Sequence, residues 1–411
     1  MVAKTEQKLY RRQGERISYN DEMVKKIAND MANVSLDLQP GNKLLIVFHP
    51  GADQLKENLI SIARGRGAEL RIQEFDPIKK AEELKKLEPS QSYDFLKDVA
   101  EYKEVAMDWA DKVAYLYAYK NSQAFQDVDP GILKSWNKAR RGIDLFVANK
   151  KTRVLTHLPT PAEAKIEKMS FKDYVRMFYE ACNRDWEKVI GAQDILIDEI
   201  LNPGKNLELY ADFDDKRQEY RTHLTMSIEG MTFANSTINA NYPGSEVFSG
   251  PVAGTINGII TLPYPVMFAG KKLPNLTLVF EKGRVVSHTV EGDPKLQEYV
   301  TSVLDSDDGS RQVGEVAFGT NPSFYKPMLN ALFVEKVGGS FHIALGDSYK
   351  MKKYAGRDVN LDNGVESQNH IDLTRMMTEK FGGGKVVLDN EVIQENGVFK
   401  DPRLTIFNPA N

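Results

Sequence analysis

The sequence predicts an α/β protein in which an N-terminal Rossmann-like domain with β-α-β units precedes a strand-rich α+β domain. Lys43–Pro50 contains a continuous apolar run that ends at Pro-Gly, as expected of a strand buried on both faces. Ala52–Arg66 then repeats leucine and isoleucine at helical spacing, and Glu69–Phe75 follows as a second strand. This order of elements predicts a β-α-β unit in the first half of the chain.

The second half of the chain follows a different pattern. Beyond Pro203, short segments rich in Thr, Val and Ile alternate with Gly, Pro and Asn, which is typical of β-hairpins. Glu281–Arg284 is predicted to be the turn of one such hairpin. Because the pattern changes near residue 203, we expect an α/β domain over residues 1–203 and a strand-rich domain over residues 204–411.

Composition excludes several classes of protein. The chain of 411 residues has a net charge of -4, with 41% hydrophobic and 27% charged residues, which gives no electrostatic preference for nucleic acid. Residues 1–10 lack the apolar core of a signal peptide, and no apolar run approaches the roughly 18 to 20 residues of a membrane span. We therefore expect a cytoplasmic protein without nucleic-acid or membrane partners.

The single cysteine and the glycine pattern narrow the chemistry further. Cys182 alone excludes an intrachain disulfide framework and a zinc site built from several thiolates. Gly65 and Gly67 lie at the end of a predicted helix rather than in the turn that opens it, so we expect no nucleotide cofactor. The charged stretches 79–97 and 170–190 have helical periodicity and are interpreted as solvated helix faces.

The six histidines are the first candidates for metal ligands. His49 ends a strand, His157 lies in a loop before a proline and His288 lies on a strand, each without an acidic residue at ligand spacing. We interpret these three as ordinary structural residues. His370 differs, because Asp372 follows two residues later and a strand directs both side chains to one face.

His342 stands in a second segment of interest. It follows Gly338 and Gly339, and Tyr349 comes seven residues later across a Gly-Asp turn. This spacing allows the imidazole and the phenol to converge. Taken alone, a histidine at position 342 or 370 is more often a hydrogen-bonded core residue than a metal ligand.

Two glutamates occupy unusual positions for a charged side chain. Glu246 in PGSEVF and Glu315 in GEVAFGTNP lie between glycine-rich turns and apolar residues. A carboxylate there is costly unless it is paired with one of the 54 Lys and Arg residues or bound to a cation. Carboxylate and imidazole ligands without thiolate suit Zn, Mn or Co. Two such ions about 4 Å apart can acidify a bridging water molecule and polarise an amide carbonyl.

Four segments resemble signature segments of the thermophilic aminopeptidase family, which includes aminopeptidases T and S. PGSEVFSGP at 243–251 is similar to the family's PxGEVFTAP segment, and GEVAFGTNP at 314–322 is similar to GE(F/V)xxGTNP. VEKVGGSFHIALGDSY at 334–349 resembles DEKxGGTxHxALGxSY, and His370 with Asp372 matches an HxD pair. The segments occur in the family's order, and the resemblance extends over nearly the whole chain.

This resemblance implies a metal-dependent aminopeptidase with two divalent ions per chain (Zn, Co or Mn) and a catalytic domain in residues 204–411. The family works as dimers with enclosed sites, which implies a homodimer and short or unfolded peptides with a free N-terminus as substrates. Glu315 is expected to be the general base, and Tyr349 to stabilise the oxyanion or bind metal weakly. The implied metal-centre residues are Glu246, Glu315, Glu335, His342, Tyr349, His370 and Asp372.

Three positions depart from the family pattern. Val334 stands where Asp is usual, Ser245 where Gly is usual, and His223 where the family commonly has Asp. We interpret the first two as structural differences. His223 can alter a substrate subsite or add a ligand, so the preferred N-terminal residue is left open.

Two other functions remain open from the sequence. Some relatives of the family are iron-dependent ring-cleaving dioxygenases, and His342, His370 and Asp372 could form a facial triad for one Fe(II) ion. Glu246 and Glu315 favour two ions and hydrolysis instead. The third possibility is a binding protein that has lost catalysis, which the intact set of candidate ligands disfavours.

Overall fold

The structure is a computed structural model that describes residues 9–13, 16–88, 96–121, 124–217 and 219–409. Contacts divide the chain into two compact units, one of residues 1–182 and 238–243 and the other of residues 183–237 and 244–411. Residues 238–243 return to the first unit, where a short strand pairs with its parallel sheet. The boundary expected near residue 203 stays a prediction.

Several α-helices begin with the same local signal. Asp76, Asp129 and Asp293 each accept hydrogen bonds from first-turn backbone amides, and a proline with a helix-compatible φ follows each of them. Within the described residues, no helix has the length and apolar character needed to cross a membrane. The α-helices are α1 (Asp21–Asp30), α2 (Asp53–Gly65), α3 (Pro77–Leu84), α4 (Leu96–Lys103), α5 (Pro130–Lys150), α6 (Pro161–Ile166), α7 (Phe171–Cys182), α8 (Trp186–Ile195) and α9 (Pro294–Leu304).

The main sheets are a five-stranded parallel sheet in the first unit and two antiparallel sheets, of five and eight strands, in the second; three further sheets among the described residues have two strands each. In chain order they are β1 (Tyr10–Gln13), β2 (Arg16–Tyr19), β3 (Lys43–Phe48), β4 (Glu69–Glu74), β5 (Lys112–Tyr117), β6 (Thr152–His157), β7 (Asn206–Asp214), β8 (Glu219–Ser227), β9 (Ala234–Ser236), β10 (Asn241–Tyr242), β11 (Glu246–Ser249), β12 (Asn257–Leu262), β13 (Val266–Phe268), β14 (Lys271–Leu273), β15 (Leu276–Glu281), β16 (Arg284–Thr289), β17 (Val313–Gly319), β18 (Ser340–Gly346), β19 (Lys353–Tyr354), β20 (Arg357–Asp358), β21 (His370–Met376), β22 (Gly384–Leu388), β23 (Glu391–Glu395) and β24 (Val398–Phe399).

The first unit contains the predicted β-α-β arrangement. Its parallel sheet has the order β10-β6-β5-β3-β4, with the apolar strand β3 in its interior. Leu55 and Leu59 of α2 are fully buried, as their helical spacing predicted. The strand, helix and strand expected between Lys43 and Phe75 are therefore confirmed, and the α/β fold class with them.

The second unit is built on two antiparallel sheets. One has the order β21-β18-β17-β11-β9 and the other has the order β16-β15-β12-β8-β7-β22-β23-β24. The turn predicted at Glu281–Arg284 is confirmed, because these two residues pair at the ends of β15 and β16. Lys282 and Gly283 both have positive φ, at 47° and 79°, as a two-residue hairpin turn with the strands' right-handed twist requires.

The tight turn at Gly283 generates a stability prediction. A Cβ atom at Gly283 would lie 2.7 Å from the Cα atom of Gly254, whereas one at Gly270, in the similar turn between β13 and β14, meets nothing within 4 Å. Both glycines have positive φ, so the backbone cost is matched. We expect Gly283→Ala to lower the free energy of unfolding by about 1–3 kcal/mol more than Gly270→Ala. Urea denaturation followed by circular dichroism tests this, and equal losses would contradict it.

Candidate metal centre

Five of the seven candidate ligands lie on one face of the antiparallel five-stranded sheet of the second unit. They are Glu246 on β11, Glu315 on β17, His342 on β18, and His370 and Asp372 on β21. The register pairs Glu315 with Ala344 and Ala344 with Asp372, so these side chains share a face. His342 and His370 join that face because each lies two residues from a member of this row.

The cross-strand partners of these ligands have small side chains. Four of them are Gly319, Ala317, Ala344 and Gly346, and the other two are Ser236 beside Glu246 and Thr374 beside His342. Their small size leaves space above the sheet where the ligand side chains converge. The alternate positions Val316, Ile343 and Leu373 point to the other face and are fully buried apolar residues. Strand alternation therefore places the candidate ligands on one face of the sheet and this apolar row on the other.

Glu315 lies at the centre of the ligand set and is fully buried. Its Oε1 atom is 3.8 Å from Nε2 of His342, and its Oε2 atom is 3.0 Å from Nε2 of His370. His342 Nε2 is 3.7 Å from Oε2 of Glu246, and His370 Nε2 is 3.4 Å from Oδ1 of Asp372. One carboxylate thus connects two imidazole-carboxylate pairs.

Most of these ligand atoms are buried without a hydrogen bond of acceptable geometry to any described residue. The unpartnered atoms are Oε2 of Glu246, both carboxylate oxygens of Glu315, both ring nitrogens of His342 and Oδ1 of Asp372. Buried polar atoms are nearly always satisfied, and buried carboxylates are costly when they are not. A bound cation would satisfy such atoms, and their oxygen and nitrogen character fits a divalent transition metal.

Five of the candidate ligands form two groups, each with ligand atoms within 4.8 Å of one another, and His370 and Tyr349 belong to neither group. One group is Glu246, Glu335 and His342, and the other is Glu315, His342 and Asp372. Both groups therefore have the size of a coordination sphere. The residues present fit a divalent metal ion.

The backbone orients the imidazole of His370. Its Nδ1 atom lies 2.9 Å from the carbonyl oxygen of Asp347, which can only accept, so Nδ1 carries a proton. In the neutral ring, Nε2 then carries a lone pair, and this atom faces Glu315 and Asp372. Metal-bound histidines have this arrangement. The side chain is 30% exposed, so the site meets solvent on the side of His370.

The pKa shifts in the site show that the clustered carboxylates favour nearby positive charge. Burial opposes ionisation of Glu315, but the two imidazoles beside it outweigh burial and lower the pKa of this carboxyl to about 2. Burial and the charge of Glu335 raise the pKa of Glu246 well above its usual value. Burial opposes protonation of His370, but Asp372 and Glu315 outweigh it and raise the pKa of the imidazole well above its usual value.

Lys336 also belongs to this site, although it was not among the residues predicted from the sequence. Its side chain is fully buried, and Nζ donates to Oε1 of Glu246 at 2.7 Å and to Oε2 of Glu335 at 2.8 Å. Burial opposes the charged form, but the two carboxylates outweigh burial and raise the pKa of Lys336, so the ammonium is retained. The available signal was a lysine within VEKVGG, an apolar and glycine-rich setting where a solvated charge is unexpected.

A short 3₁₀ helix, Val334–Lys336, carries Glu335 and Lys336 to the sheet. A Cβ atom at Gly319 would lie 2.1 Å from the carbonyl oxygen of Val337, so only glycine allows this close approach. Thr374 of β21 holds the other side by donating from Oγ1 to the carbonyl of Val334 at 2.9 Å. The position of Glu335 and Lys336 therefore depends on contacts with two strands.

Tyr349 is half-buried at the edge of the ligand set. Its ring centroid lies 5.4 Å from that of His370 and 4.9 Å from that of Phe248. Burial and the nearby carboxylates raise the pKa of Tyr349 well above its usual value, so the phenol keeps its proton. Tyr349 begins a loop whose base is closed by a hydrogen bond from the backbone amide of Asp347 to the carbonyl of Asn369 at 2.8 Å.

Ser245 occupies a backbone conformation that favours glycine. Its φ is 111°, which L-residues rarely adopt. The hydroxyl forms a 2.6 Å hydrogen bond with Oγ1 of Thr320 and accepts from Nε2 of Gln193 at 3.3 Å. These contacts fix the serine and explain how it is accommodated directly before Glu246.

Histidines 49, 157, 223 and 288 lie outside both ligand groups. His223 is 45% exposed on β8, where its Nε2 atom is 3.5 Å from Oε2 of Glu208 and its ring stacks on Tyr210. His223 therefore adds no ligand to either group. The Nδ1 atom of His157 lies 3.6 Å from Oε1 of Glu163. The spacing of these two residues in the sequence did not predict this pair.

Comparisons with curated proteins identify relatives with peptidase names. The chain is 26% identical over 326 residues to Aminopeptidase 2 of Geobacillus stearothermophilus, covering 71% of this chain and 73% of that protein. It is 28% identical over 165 residues to Aminopeptidase AmpS of Bacillus subtilis (strain 168), covering 37% of this chain and 38% of that relative.

Comparisons with solved structures show the same fold over most of the chain. Wild-type AmpT from Thermus thermophilus superposes with a TM-score of 0.72 at 18% identity, covering 92% of this chain and 99% of that one. The 2,5-dihydroxypyridine dioxygenase from Pseudomonas putida KT2440 gives a TM-score of 0.55 at 10% identity, covering 94% and 100%. At these identities the likeness concerns the fold alone.

The family comparison covers almost the entire sequence. The model of the thermophilic metalloprotease (M29) family matches residues 20–399, which include every candidate ligand described above. The chain therefore belongs to the thermophilic metalloprotease (M29) family.

Proposed function

We propose that this protein is a metal-dependent aminopeptidase that removes the N-terminal residue from short peptides, using two divalent ions. The observation that carries the proposal is the set of buried, unpartnered carboxylate and imidazole atoms on one sheet face. Membership of the metalloprotease family and the aminopeptidase names of relatives support the same function. The resemblance to aminopeptidases T and S supports a homodimer, and the lone buried Cys182 suits the reducing cytoplasm.

The connection through Glu315 supports two ions rather than one. Glu315, His342 and Glu246 would hold one ion, and Glu315, His370 and Asp372 would hold the other. Charge supports the same number, because four carboxylates around the site, including Glu335, face a single buried ammonium among the residues that the structure describes. Divalent ions bound there would acidify a water molecule and polarise the scissile carbonyl.

The geometry favours a change in the expected general base. Both oxygens of Glu315 face imidazoles, so this carboxylate suits a bridging ligand better than a proton acceptor. Glu335 is 13% exposed and is held by Lys336 through one oxygen only. We assign Glu335 as the general base that accepts the proton of the attacking water. The protonated phenol of Tyr349 donates a hydrogen bond to the developing oxyanion.

The more open side of the site suits a peptide amine. Asp372 is 17% exposed and lies beside the partly exposed ring of His370. Together with Glu335, it gives the entrance a negative charge that attracts an α-ammonium group and disfavours a blocked terminus. Recognition of the amine is the basis for proposing an exopeptidase.

A second candidate is a mononuclear Fe(II) dioxygenase that cleaves a dihydroxylated ring. The observation that favours it is the fold shared with a 2,5-dihydroxypyridine dioxygenase, together with the set His342, His370 and Asp372. A single iron held by these three residues would give the buried carboxylates of Glu246 and Glu315 no role as metal ligands. Metal content and substrate turnover separate the two candidates.

We predict that activity depends on metal and on a free amine. Chelation should abolish cleavage of aminoacyl amides, and Zn, Co or Mn should restore it, because the ions supply the acidified water. An N-acetylated peptide should resist cleavage while its free-amine counterpart is cut. Chromatographic detection of products measures both. Equal cleavage of the two peptides would reject the exopeptidase, and one iron with oxygen uptake on a dihydroxylated ring would support the second candidate.

We predict that Glu315→Gln mainly lowers the metal content, whereas Glu335→Gln mainly lowers the catalytic rate. Glu315→Gln should reduce metal content toward one ion per chain, because the bridge is lost. Glu335→Gln should keep two ions and lower kcat by roughly 10² to 10⁴, the usual contribution of a general base. Glu366→Gln, at an exposed loop position, is the control. Metal analysis and steady-state kinetics measure these effects; two ions in Glu315→Gln, or normal turnover in Glu335→Gln, would refute the respective role.

We predict that Lys336→Met weakens the binding of one ion only. Without the ammonium, Glu246 loses the contact that orients it, and losing such a partner typically costs about 10–100-fold in metal affinity. Lys380→Met, in another 3₁₀ helix and exposed, should bind metal normally. Competition with a chromogenic chelator measures both affinities. Unchanged or tighter binding in Lys336→Met would show that the lysine does not position a ligand.

A further inference from the structure

A cavity of about 210 Å³ lies in the first unit, remote in sequence from the metal ligands. It opens beside the carboxyl-terminal halves of β3, β4 and β5 and beneath α4 and α5. The lining residues that matter for its chemistry are Gln73, Phe75, Glu101, Tyr117, Trp136 and Arg140.

The position of this cavity matches the general location of ligand sites in parallel sheets. The chain runs from β3 to β4 on one side and then crosses to β5 on the other side of β3. Crevices at the carboxyl ends of strands, where the strand order reverses in this way, are the usual ligand-binding places of open α/β sheets. Val47 near the end of β3, Phe75 directly after β4 and Tyr117 at the end of β5 all line the cavity.

Aromatic rings and a guanidinium group form much of the wall. The rings of Phe75 and Trp136 are stacked with nearly parallel planes, with centroids 6.1 Å apart and an interplanar angle of 9°. The Cζ atom of Arg140 lies 5.2 Å from the Trp136 ring, 5.3 Å from Phe75 and 4.8 Å from Tyr102. The guanidinium is thereby held in a fixed orientation against apolar surface.

Two polar atoms of the wall are buried without a partner among the described residues. They are Nε of Arg140, which can only donate, and Oε1 of Gln73, which can only accept. The nearest charge to Arg140 is Asp144, at 3.7 Å from a terminal nitrogen and beyond hydrogen-bond distance. A ligand that satisfies both atoms must therefore present an acceptor and a donor.

We propose that this cavity binds a free α-amino acid with an apolar or aromatic side chain. The carboxylate accepts from Arg140, the ammonium donates to Gln73 with Glu101 nearby, and the side chain lies against Phe75 and Trp136. The choice of an amino acid among bipolar molecules also rests on the proposed function, because an aminopeptidase releases free amino acids. The site thus gives the enzyme a second place, outside its metal centre, at which its product class is recognised.

Calorimetric titration of the full-length, metal-stripped protein with L-phenylalanine tests the proposal. We expect saturable binding, and weakening by at least about tenfold in Arg140→Met and in Gln73→Leu, since each loses a hydrogen bond to a charged group. Phenethylamine and 3-phenylpropanoate, each lacking one charged end, should bind at least about tenfold more weakly. Lys138→Met, an exposed cation on the same helix, should stay within about twofold of wild type.

Binding without metal separates this inference from the proposed function. Peptidase activity without L-phenylalanine binding to the stripped protein would overturn the inference and leave the function intact. Equal affinities in wild type and Gln73→Leu would also overturn it, even if Arg140→Met fails to fold. Binding of adenine in place of L-phenylalanine would overturn the assigned ligand class.

Discussion

Uncompensated negative charge is the constraint around which the second unit is organised. Glu246, Glu315, Glu335 and Asp372 converge on a region where the buried ammonium of Lys336 contacts two of them. Carboxylates removed from water are strongly destabilising unless cations replace the lost hydration. The glycine and alanine partners on the sheet leave the room that such cations need. The apolar residues on the opposite face supply the burial energy that holds the strands in place.

Patterns within one strand or one helix were predictable from the sequence. His370 and Asp372 lie on a strand as their spacing indicated, and the helix after Lys43–Pro50 begins and ends within a residue of its expected bounds. Glu246 and Glu315 were noticeable because a charge between glycine turns and apolar residues conflicts with local burial. Each of these inferences uses only neighbours in the chain, where side-chain direction follows from secondary structure.

The assembly of the site across strands was not predictable in this way. The register that aligns Glu315, Ala344 and Asp372 is set by packing of whole sheet faces, and a one-residue slip would send the ligands to the wrong side. Lys336 lies in a 3₁₀ helix, which has no periodic signature of its own. Its place depends on the close backbone approach at Gly319, which becomes visible only when both segments are seen together.

The loop between Tyr349 and His370 has a consequence for how this enzyme type can diversify. Its base is fixed by the backbone hydrogen bond between Asp347 and Asn369, and His370 is oriented by the carbonyl of Asp347 rather than by the loop's outer part. Leu361 and Val365 are buried and anchor the second half of the loop, whereas residues 355–358 are exposed. Insertions or replacements among residues 355–358 can therefore accumulate while the ligand geometry is preserved. Variation in this segment is a route by which descendants of one ancestral catalyst acquire different substrate preferences.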